Sequence, residues 1–165
     1  MTDELYMRQA LALARQAADE GDIPVGAIVV SPDGRVIGTG RNRRRIEHDP
    51  TAHAEVVAIR QAANELQAWN LSRCSLYVTL EPCPMCAGAI MQSRLSRLVY
   101  GCTDPKAGCC GTLLDITGDR RFPQRITVVS GILETECRGI LQDFFIRCRV
   151  NARKNQALQK NKPVL

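Results

Sequence analysis

The chain has 165 residues, of which 45% are hydrophobic and 24% are charged, a balance that suits one globular domain over residues 1–165. No stretch approaches the run of about 20 apolar residues that a membrane-spanning helix requires. The acidic start at Thr2-Asp3-Glu4 lacks the basic leader of a signal peptide. We therefore expect a protein of the reducing cytoplasm with no membrane partner.

The formal net charge is +5, and the basic residues are unevenly placed. Arginines crowd around Asn42 within positions 41–45, and no carboxylate side chain follows Asp143. Clusters like these are typical either of a solvated helix face and tail or of a surface that binds a polyanion, and charge alone leaves both interpretations open. The cations after Asp143 are Arg147, Arg149, Arg153, Lys154, Lys160 and Lys162.

The first part of the chain predicts one helix and a pair of strands. Thr2 is placed to cap the helix, and Gly21 is placed to end it. Val25 to Val30 and Arg35 to Gly40 each have the pattern of a strand. The turn Ser31-Pro32-Asp33-Gly34 between them predicts an antiparallel hairpin.

The rest of the chain predicts strands separated by helices. A helix from about Ala52 to Ala68 comes first, with Thr51 as its expected N-cap. The resulting order α-β-β-α-β-α-β-α-β-α favours parallel pairing among the later strands. The remaining elements are strands at Ser75 to Leu80, Arg97 to Cys102 and Arg125 to Ile132, a short helix from Pro84 through Gln92, and a basic last helix from about Glu134.

The strongest chemical signal is Cys83-Pro84-Met85-Cys86 together with His53-Ala54-Glu55. A Cys-x-x-Cys pair on a turn that enters a helix brings two sulfurs together, and the helix N-terminus stabilises their thiolate forms. Zinc accepts thiolate and imidazole ligands, and three protein ligands leave one position for water, as in catalytic sites. We therefore expect His53, Cys83 and Cys86 to bind one Zn²⁺ per subunit.

Glu55 lies two residues after His53 and is not needed as a ligand. A carboxylate beside a zinc-bound water can take its proton and hand it on. The combination of His-x-Glu with Pro-Cys-x-x-Cys is typical of zinc-dependent nucleobase deaminases. Alternatives are a redox pair, a structural zinc half-site, or a structural site that recruits a third thiol from Cys102, Cys109 or Cys110.

Stretches well beyond the zinc motif resemble the bacterial tRNA-specific adenosine deaminases. The likeness spans about Leu5 to Arg153. The zinc motif itself is shared with cytidine, guanine and other deaminases, whereas the second block and the Asp-Phe-Phe ending are more particular. The similar stretches are Asp49 to Glu55, Thr79 to Ile90, Tyr100 to Gly108, and Asp143-Phe144-Phe145 with the arginines that follow.

The resemblance implies a cytidine-deaminase-like α/β fold, a three-layer α/β/α sandwich with a mixed five-stranded sheet. Both zinc-bearing helices should lie against one face of that sheet. The resemblance also implies a homodimer, for which the sequence itself offers only the short apolar helix at Ala87 to Met91 as a candidate interface. The alternative for that helix is ordinary core packing.

The resemblance further implies which residues contact the substrate. Asn42 matches an asparagine that hydrogen-bonds the target base; the alternative is a loop asparagine bonding its own backbone. Asp104 and Lys106 match residues that touch flanking nucleotides, and Phe145 and Arg149 match features of an RNA-contacting last helix. The chain departs from the family at Cys148-Arg149, where two arginines are common, and at Cys109-Cys110. We expect Phe144 in the core.

The implied reaction is hydrolytic deamination of adenosine to inosine at the first anticodon (wobble) position of tRNA. Zinc-bound hydroxide would attack C6, while Glu55 carries the proton to N1 and then to the departing ammonia. The expected partner is a tRNA anticodon stem-loop. Two other interpretations stay open: a small-molecule guanine or nucleoside deaminase, and a non-catalytic zinc-stabilised RNA-binding subunit, against which Glu55 argues.

Overall fold

The computed structural model describes residues 2–160, with side chains as far as Lys154. The predicted positions at Lys160 and Lys162 therefore lie outside the described side chains. The helices are α1 (Asp3–Asp19), α2 (Arg44–Glu47), α3 (Ala54–Leu66), α4 (Pro84–Gln92) and α5 (Glu134–Lys160). The strands are β1 (Gly26–Val30), β2 (Val36–Arg41), β3 (Ser75–Leu80), β4 (Arg97–Cys102) and β5 (Thr127–Ser130).

The five strands form one mixed sheet in the order β2-β1-β3-β4-β5. Strand β1 is antiparallel to both β2 and β3, so the predicted hairpin is confirmed. The pairs β3–β4 and β4–β5 are parallel. The first of these pairings agrees with the prediction from the helix between β3 and β4. Strands β2 and β3 therefore run in the same direction, and the segments that follow them lie at the same end of the sheet.

Helices cover both faces of the sheet and confirm the three-layer α/β/α sandwich. One core packs α3 and α4 against the sheet through small and branched side chains such as Ala58, Ile90 and Leu98. The other core packs α1 and α5 against the opposite face, where Met7 and Cys137 are fully buried. The helices that begin beside His53 and Cys83 therefore share one face, as the resemblance implies.

Two glycines on β2 allow α3 to approach the sheet unusually closely. A Cβ added at Gly40 would lie 2.1 Å from the Ala54 carbonyl oxygen, and one at Gly38 would lie 2.3 Å from that of Ala58. Any side chain at either position would push α3 outward, because these distances are far below van der Waals contact. This packing fixes the N-terminus of α3, which directly follows His53.

Some predicted boundaries and caps were wrong. Helix α3 begins at Ala54 rather than Ala52, and its N-cap is His53 rather than Thr51. The reason is local: both the N–H and the hydroxyl of Thr51 donate to Asp49 Oδ1 at 2.7 Å. This turn holds the chain in a non-helical conformation up to His53. Thr2 does occupy the N-cap of α1, but its side chain makes no capping hydrogen bond.

The helix implied between the fourth and fifth strands is absent, and the described residues 103–126 form turns with one isolated bridge between Cys110 and Asp115. The glycines and prolines in this connection oppose a helix. Strand β5 is shorter than predicted, and the four-residue helix α2 was not anticipated.

Helix α5 begins at Glu134 and has 27 residues. At about 1.5 Å per residue it is about 40 Å long, and it carries the basic end of the chain. Of the helices in the described part of the chain, none is both long and apolar enough to cross a membrane.

A polar cluster attaches the start of α1 to the sheet. The Arg97 guanidinium donates two hydrogen bonds to Asp3, at 2.9 and 2.7 Å, and the Tyr77 hydroxyl donates a third at 2.8 Å. The bond from Arg97 is the main cause that lowers the pKa of the Asp3 carboxyl. This cluster joins residues more than 70 positions apart in the chain.

We expect Asp3→Asn to lower the free energy of unfolding by about 1 kcal/mol at pH 7, because it removes a paired charge that is only partly exposed. The pKa of Asp3 is lower in the folded than in the unfolded state. Its stabilisation is therefore present above about pH 4 and is lost as the pH falls through the lowered folded value. Urea unfolding at pH 7 and pH 3 checks this.

Glu4→Gln is the matched control, because it removes one charge from the same helical turn at an exposed position. Its effect should be smaller at pH 7. The role of the Asp3–Arg97 pair would be contradicted if both variants lost the same free energy of unfolding at pH 7. It would also be contradicted if the difference between the wild type and Asp3→Asn were as large at pH 3 as at pH 7.

Candidate metal centre and substrate groove

Two helix N-termini supply the residues of the candidate metal centre. His53 and Cys83 are the N-caps of α3 and α4, and both have extended backbone. Their carbonyl oxygens accept the first helical hydrogen bonds, from Val57 and Ala87 at 3.0 and 2.8 Å. Neither side chain makes a capping hydrogen bond. The imidazole and the thiol are therefore available to a ligand.

The ligand atoms have the separations that a tetrahedral zinc ion requires. His53 Nδ1 lies 3.7 Å from Cys83 Sγ and 3.5 Å from Cys86 Sγ, and all three atoms lie within 4.8 Å of one another. Bonds of about 2.05 Å to nitrogen and about 2.3 Å to sulfur, at a tetrahedral angle, separate the two atoms by about 3.6 Å. The donor set thus fits zinc, with Nδ1 as the histidine ligand.

Among the described residues, His53, Cys83 and Cys86 form the one group whose ligand atoms are close enough to hold a metal ion. No third thiol of the described part of the chain joins this group. All eight cysteines are free thiols. Cys109 and Cys110 are buried in the loop after β4, and the Cys109 thiol donates to the Ala107 carbonyl at 3.4 Å. The arrangement with three ligands and one open position is therefore the one that the geometry supports.

The thiols and the imidazole influence one another. A hydrogen bond from the Cys86 thiol, assisted by His53, lowers the pKa of Cys83 to about 4 despite partial burial. The same bond raises the pKa of Cys86, and contact with Cys83 raises the pKa of His53. The lowered pKa of Cys83, at the positive end of α4, favours its thiolate form, which is the form that binds a metal.

Glu55 lies in the first turn of α3 and is only 4% exposed. Burial is the main cause that raises the pKa of its carboxyl to about 6, and the carboxylate contacts the Cys86 thiol. It is not among the grouped ligand atoms. A buried carboxyl beside the ligands, with a pKa near neutrality, suits a group that accepts and returns a proton.

Four of the five predicted RNA contacts line one open groove of about 870 Å³. The groove runs between the loop after β4 and the outer face of α5. Its wall includes Leu80, three positions before the ligand Cys83, and Ile23 in the α1–β1 connection. The predicted residues that line it are Asp104, Lys106, Phe145 and Arg149.

The neighbouring phenylalanines of α5 face in different directions. Phe144 is 7% exposed, so the prediction of a core residue is confirmed, whereas Phe145 is 45% exposed. The two rings contact edge to face, with centroids 5.5 Å apart. Packing on Phe144 therefore holds the Phe145 ring at the groove, where one face can stack on a base.

Asn42 is not among the residues that line the groove, and it lies on the segment after β2 that is hydrogen-bonded to the residue before His53. Its backbone N–H donates to the Val25 carbonyl, and the next N–H, from Arg43, donates to the carbonyl of Ala52, which precedes His53. Asn42 is 4% exposed, and its Nδ2 donates to Asp22 Oδ1 at 2.9 Å. The alternative, a loop asparagine bonded to its own backbone, is not what the structure shows.

The arginines around Asn42 are partly neutralised. Arg41 pairs with Glu20 at 2.6 Å, Arg43 pairs with Glu47 at 2.5 Å, and Arg45 donates to a backbone carbonyl. The charge count of this segment therefore overstates its positive surface.

Sequence reasoning missed Glu81, the residue that connects the groove to the metal centre. Glu81 is 2% exposed, and its oxygens accept hydrogen bonds from the backbone N–H groups of Asp104, Cys110 and Thr112 at 3.0 to 3.1 Å. A Cβ at Gly108 would lie 2.3 Å from its Oε2. The available signal was a carboxylate directly after an apolar strand and before the metal-binding turn.

Comparisons with known proteins identify the family. The model of the MafB19-like deaminases matches residues 1–149. A tRNA-specific adenosine deaminase of Bacillus subtilis is 45% identical over 159 residues, which cover 96% of each chain. This chain belongs to the tRNA-specific adenosine deaminases.

Solved structures agree with this assignment. A chain from structural work on A-to-I editing by tRNA:A34 deaminases has a TM-score of 0.79 and 43% identity, and the match covers 82% of this chain and 98% of that one. A guanine deaminase from Nitrosomonas europaea has a TM-score of 0.72 and 28% identity, covering 86% and 83% of the two chains. The cytidine-deaminase-like fold is thus confirmed, and it is shared with enzymes of different specificity.

We expect the purified protein to hold about one zinc ion per chain and Cys86→Ala to lose it, because the variant removes one of three ligands. The variant should also be less stable, since metal binding and folding are coupled. Elemental analysis combined with circular dichroism measures both effects.

Cys74→Ala provides the control, because Cys74 is also buried but lies in the core away from the cluster. It should retain the metal. A zinc content that is unchanged in Cys86→Ala, or equally reduced in Cys74→Ala, would refute the ligand set.

Proposed function

We propose that this chain catalyses the hydrolytic deamination of adenosine to inosine at the wobble position of tRNA. The observation that carries the proposal is the ligand cluster of His53, Cys83 and Cys86 with the buried Glu55 beside it. It occurs in a chain that matches a tRNA-specific adenosine deaminase along almost its whole length. The reaction consumes water and releases ammonia.

The residues around the centre have distinct tasks. When bound, zinc supplies a Lewis acid that makes a water molecule acidic enough to attack near neutral pH. Glu55 accepts one proton from the attacking water and delivers it to adenine N1. It then accepts the second proton, from the hydroxyl now on C6, and delivers it to the amino group, so that the C6–N bond breaks, ammonia leaves and the C6 oxygen becomes the carbonyl of inosine. Its burial keeps bulk water from exchanging these protons, and its raised pKa makes both transfers accessible.

The groove supports an anticodon stem-loop as the substrate. Phe145 presents an exposed ring for stacking, and Lys106 and Arg149 are placed for phosphate contacts along the same surface. Asp104 offers acceptors to base amino groups. A base in an unpaired loop reaches the centre without most of the cost of leaving a duplex stack. This surface extends well beyond what one free base occupies.

Two alternatives remain as outcomes of the test. The likeness to a guanine deaminase shows that the same fold can serve a free purine base, but such a substrate leaves the groove and α5 without a role. A non-catalytic RNA-binding subunit leaves the buried Glu55 without a role. We also propose that the chain acts as one domain in the cytoplasm, which agrees with its free thiols.

We expect inosine to form on an anticodon stem-loop with adenosine at the first anticodon position, with no deamination of the same loop carrying cytidine or of free guanine. Glu55→Gln should reduce turnover by about 10² to 10⁴ or more, because proton transfer then lacks its carrier. The variant should keep its zinc, since Glu55 is not a ligand. Nucleoside analysis by mass spectrometry measures the products.

Glu65→Gln is the control for Glu55→Gln, because Glu65 lies on the same helix but is exposed. It should remain active. Deamination of guanine but not of the loop would favour the small-molecule alternative. Equal turnover of the adenosine and cytidine loops would contradict the proposed specificity.

We further propose that the chain forms a homodimer through the outer face of α4. In the predicted interface segment, Ala87 to Met91, the side chains of Ala87, Ile90 and Met91 are buried in the core. Only the opposite face of α4 is therefore available to a second chain. A Cβ added at Gly88 would meet nothing within 4 Å, which leaves room for a close helix contact from a second copy. That face is apolar and lies directly after the metal ligands.

Gly88→Arg should therefore convert the dimer to a monomer without unfolding the chain, because it places a charged side chain in the interface. Light scattering at micromolar concentration measures the mass. Gly139→Arg is the control, since Gly139 is also an open helical glycine but lies on α5. A monomeric wild type, or dimers in both variants, would contradict this interface.

A further inference from the structure

We propose that Asp22 is a positioning residue that fixes the carboxamide of Asn42 for substrate binding, an inference that rests on the proposed base-contacting role of Asn42. Asp22 lies outside the deaminase motifs, in the connection between α1 and β1. It makes no contact with the metal ligands in the described contacts, so any effect on turnover must pass through another residue.

Asp22 is a buried carboxylate whose partners are all neutral donors. It is 1% exposed. Oδ1 accepts the Ile23 N–H at 2.8 Å and the Asn42 Nδ2 at 2.9 Å, and Oδ2 accepts the Arg45 N–H at 2.9 Å. One side chain thus joins the end of α1 to the segment that follows β2, across 20 to 23 positions of sequence.

The chemistry of a carboxylate decides which end of the Asn42 amide faces it. An ionised carboxylate only accepts hydrogen bonds, whereas an amide has one donor end and one acceptor end. Asn42 must therefore turn Nδ2 toward Asp22, and its Oδ1 points to the other side. Because Asn42 is almost fully buried, the two ends exchange only if this bond breaks.

The fixed amide keeps its Oδ1 acceptor on the side away from Asp22, while one N–H of Nδ2 is bonded to Asp22 and the other N–H remains available as a donor. Adenosine carries donors at its amino group and its ribose hydroxyls. We infer that Asn42 Oδ1 pairs with one of these groups. Asn42 is placed for this because the adjacent Arg43 is hydrogen-bonded to Ala52, next to the ligand His53. Ile23, which follows Asp22, forms part of the groove wall.

Asp22→Asn tests the inference with almost no change of shape. An asparagine at position 22 turns an amide donor either toward the Arg45 N–H or toward the Ile23 N–H and Asn42 Nδ2, and it offers the other side only a neutral acceptor. In either orientation the Asn42 amide is held less firmly than by the carboxylate. We expect kcat/KM for the adenosine stem-loop to fall about 10- to 100-fold, as for a buried polar group that loses its partner. Asp22→Glu, which retains the carboxylate, should recover part of the loss.

A double-mutant cycle separates positioning from general damage. If Asp22 acts through Asn42, Asp22→Asn should reduce kcat/KM in the wild type but cause no further loss in Asn42→Ala. Zinc content should remain about one per chain in all variants. Asp33→Asn, at the far end of the same β1–β2 hairpin, should leave kcat/KM unchanged.

The outcomes distinguish this inference from the function on which it rests. Full activity of Asn42→Ala would remove the role of Asn42, and with it the basis for Asp22, without touching the deaminase assignment. A large effect of Asn42→Ala combined with an additive or absent effect of Asp22→Asn would overturn the inference alone.

A second measurement does not depend on the folding of any Asp22 variant. The Asn42 side-chain amide, identified in NMR spectra by its absence in Asn42→Ala, should exchange its protons with solvent far more slowly than that of the exposed Asn70. Exchange as fast as at Asn70 would show that Asp22 does not hold the amide and would overturn the inference.

Discussion

The structure depends on the convergence of two helix N-termini on one point. Helices α3 and α4 lie on the same face of the sheet, and the residues that begin them, His53 and Cys83, use their backbone carbonyls for capping and leave their side chains for a ligand. The close approach of α3 to Gly38 and Gly40 sets where that point lies. The positive ends of both helices favour thiolate and carboxylate groups at that point. The same helix packing therefore positions the ligands and favours their charged forms.

Two buried carboxylates extend this centre into a substrate site. Glu81 holds the loop that carries Asp104 and Lys106, and Asp22 holds Asn42 together with the start of α2. Both are surrounded by neutral donors in the described contacts, and burying a charge without a cation costs free energy. Their contribution is better understood as fixing the geometry of the segments that we propose to contact RNA than as stabilising the fold.

The sequence predicted the parts of the molecule that local patterns determine. The bounds of β3, β4 and α4 agree to the residue, because each is a short, mostly apolar run with a clear boundary residue at one end: Glu81 after β3, Arg97 at the start of β4 and Pro84 at the start of α4. The ligand set and Glu55 were proposed from the His-x-Glu and Pro-Cys-x-x-Cys motifs, and the structure brings the three ligand atoms within 4.8 Å of one another. The carboxylate contacts could not be predicted, because they join residues 20 to 31 positions apart and only the folded sheet brings those together. The start of α3 was misplaced because Thr51 bonds Asp49 instead of capping the helix.

The proposed chemistry requires that three residues hold a zinc ion with one coordination position left for water. X-ray absorption at the zinc edge of the purified protein tests it most directly. We expect two sulfur ligands at about 2.3 Å and two light ligands at about 2.0–2.1 Å, one from His53 and one from solvent. A shell with three sulfurs would indicate a closed structural site and would refute the three-ligand arrangement, as would a shell without sulfur.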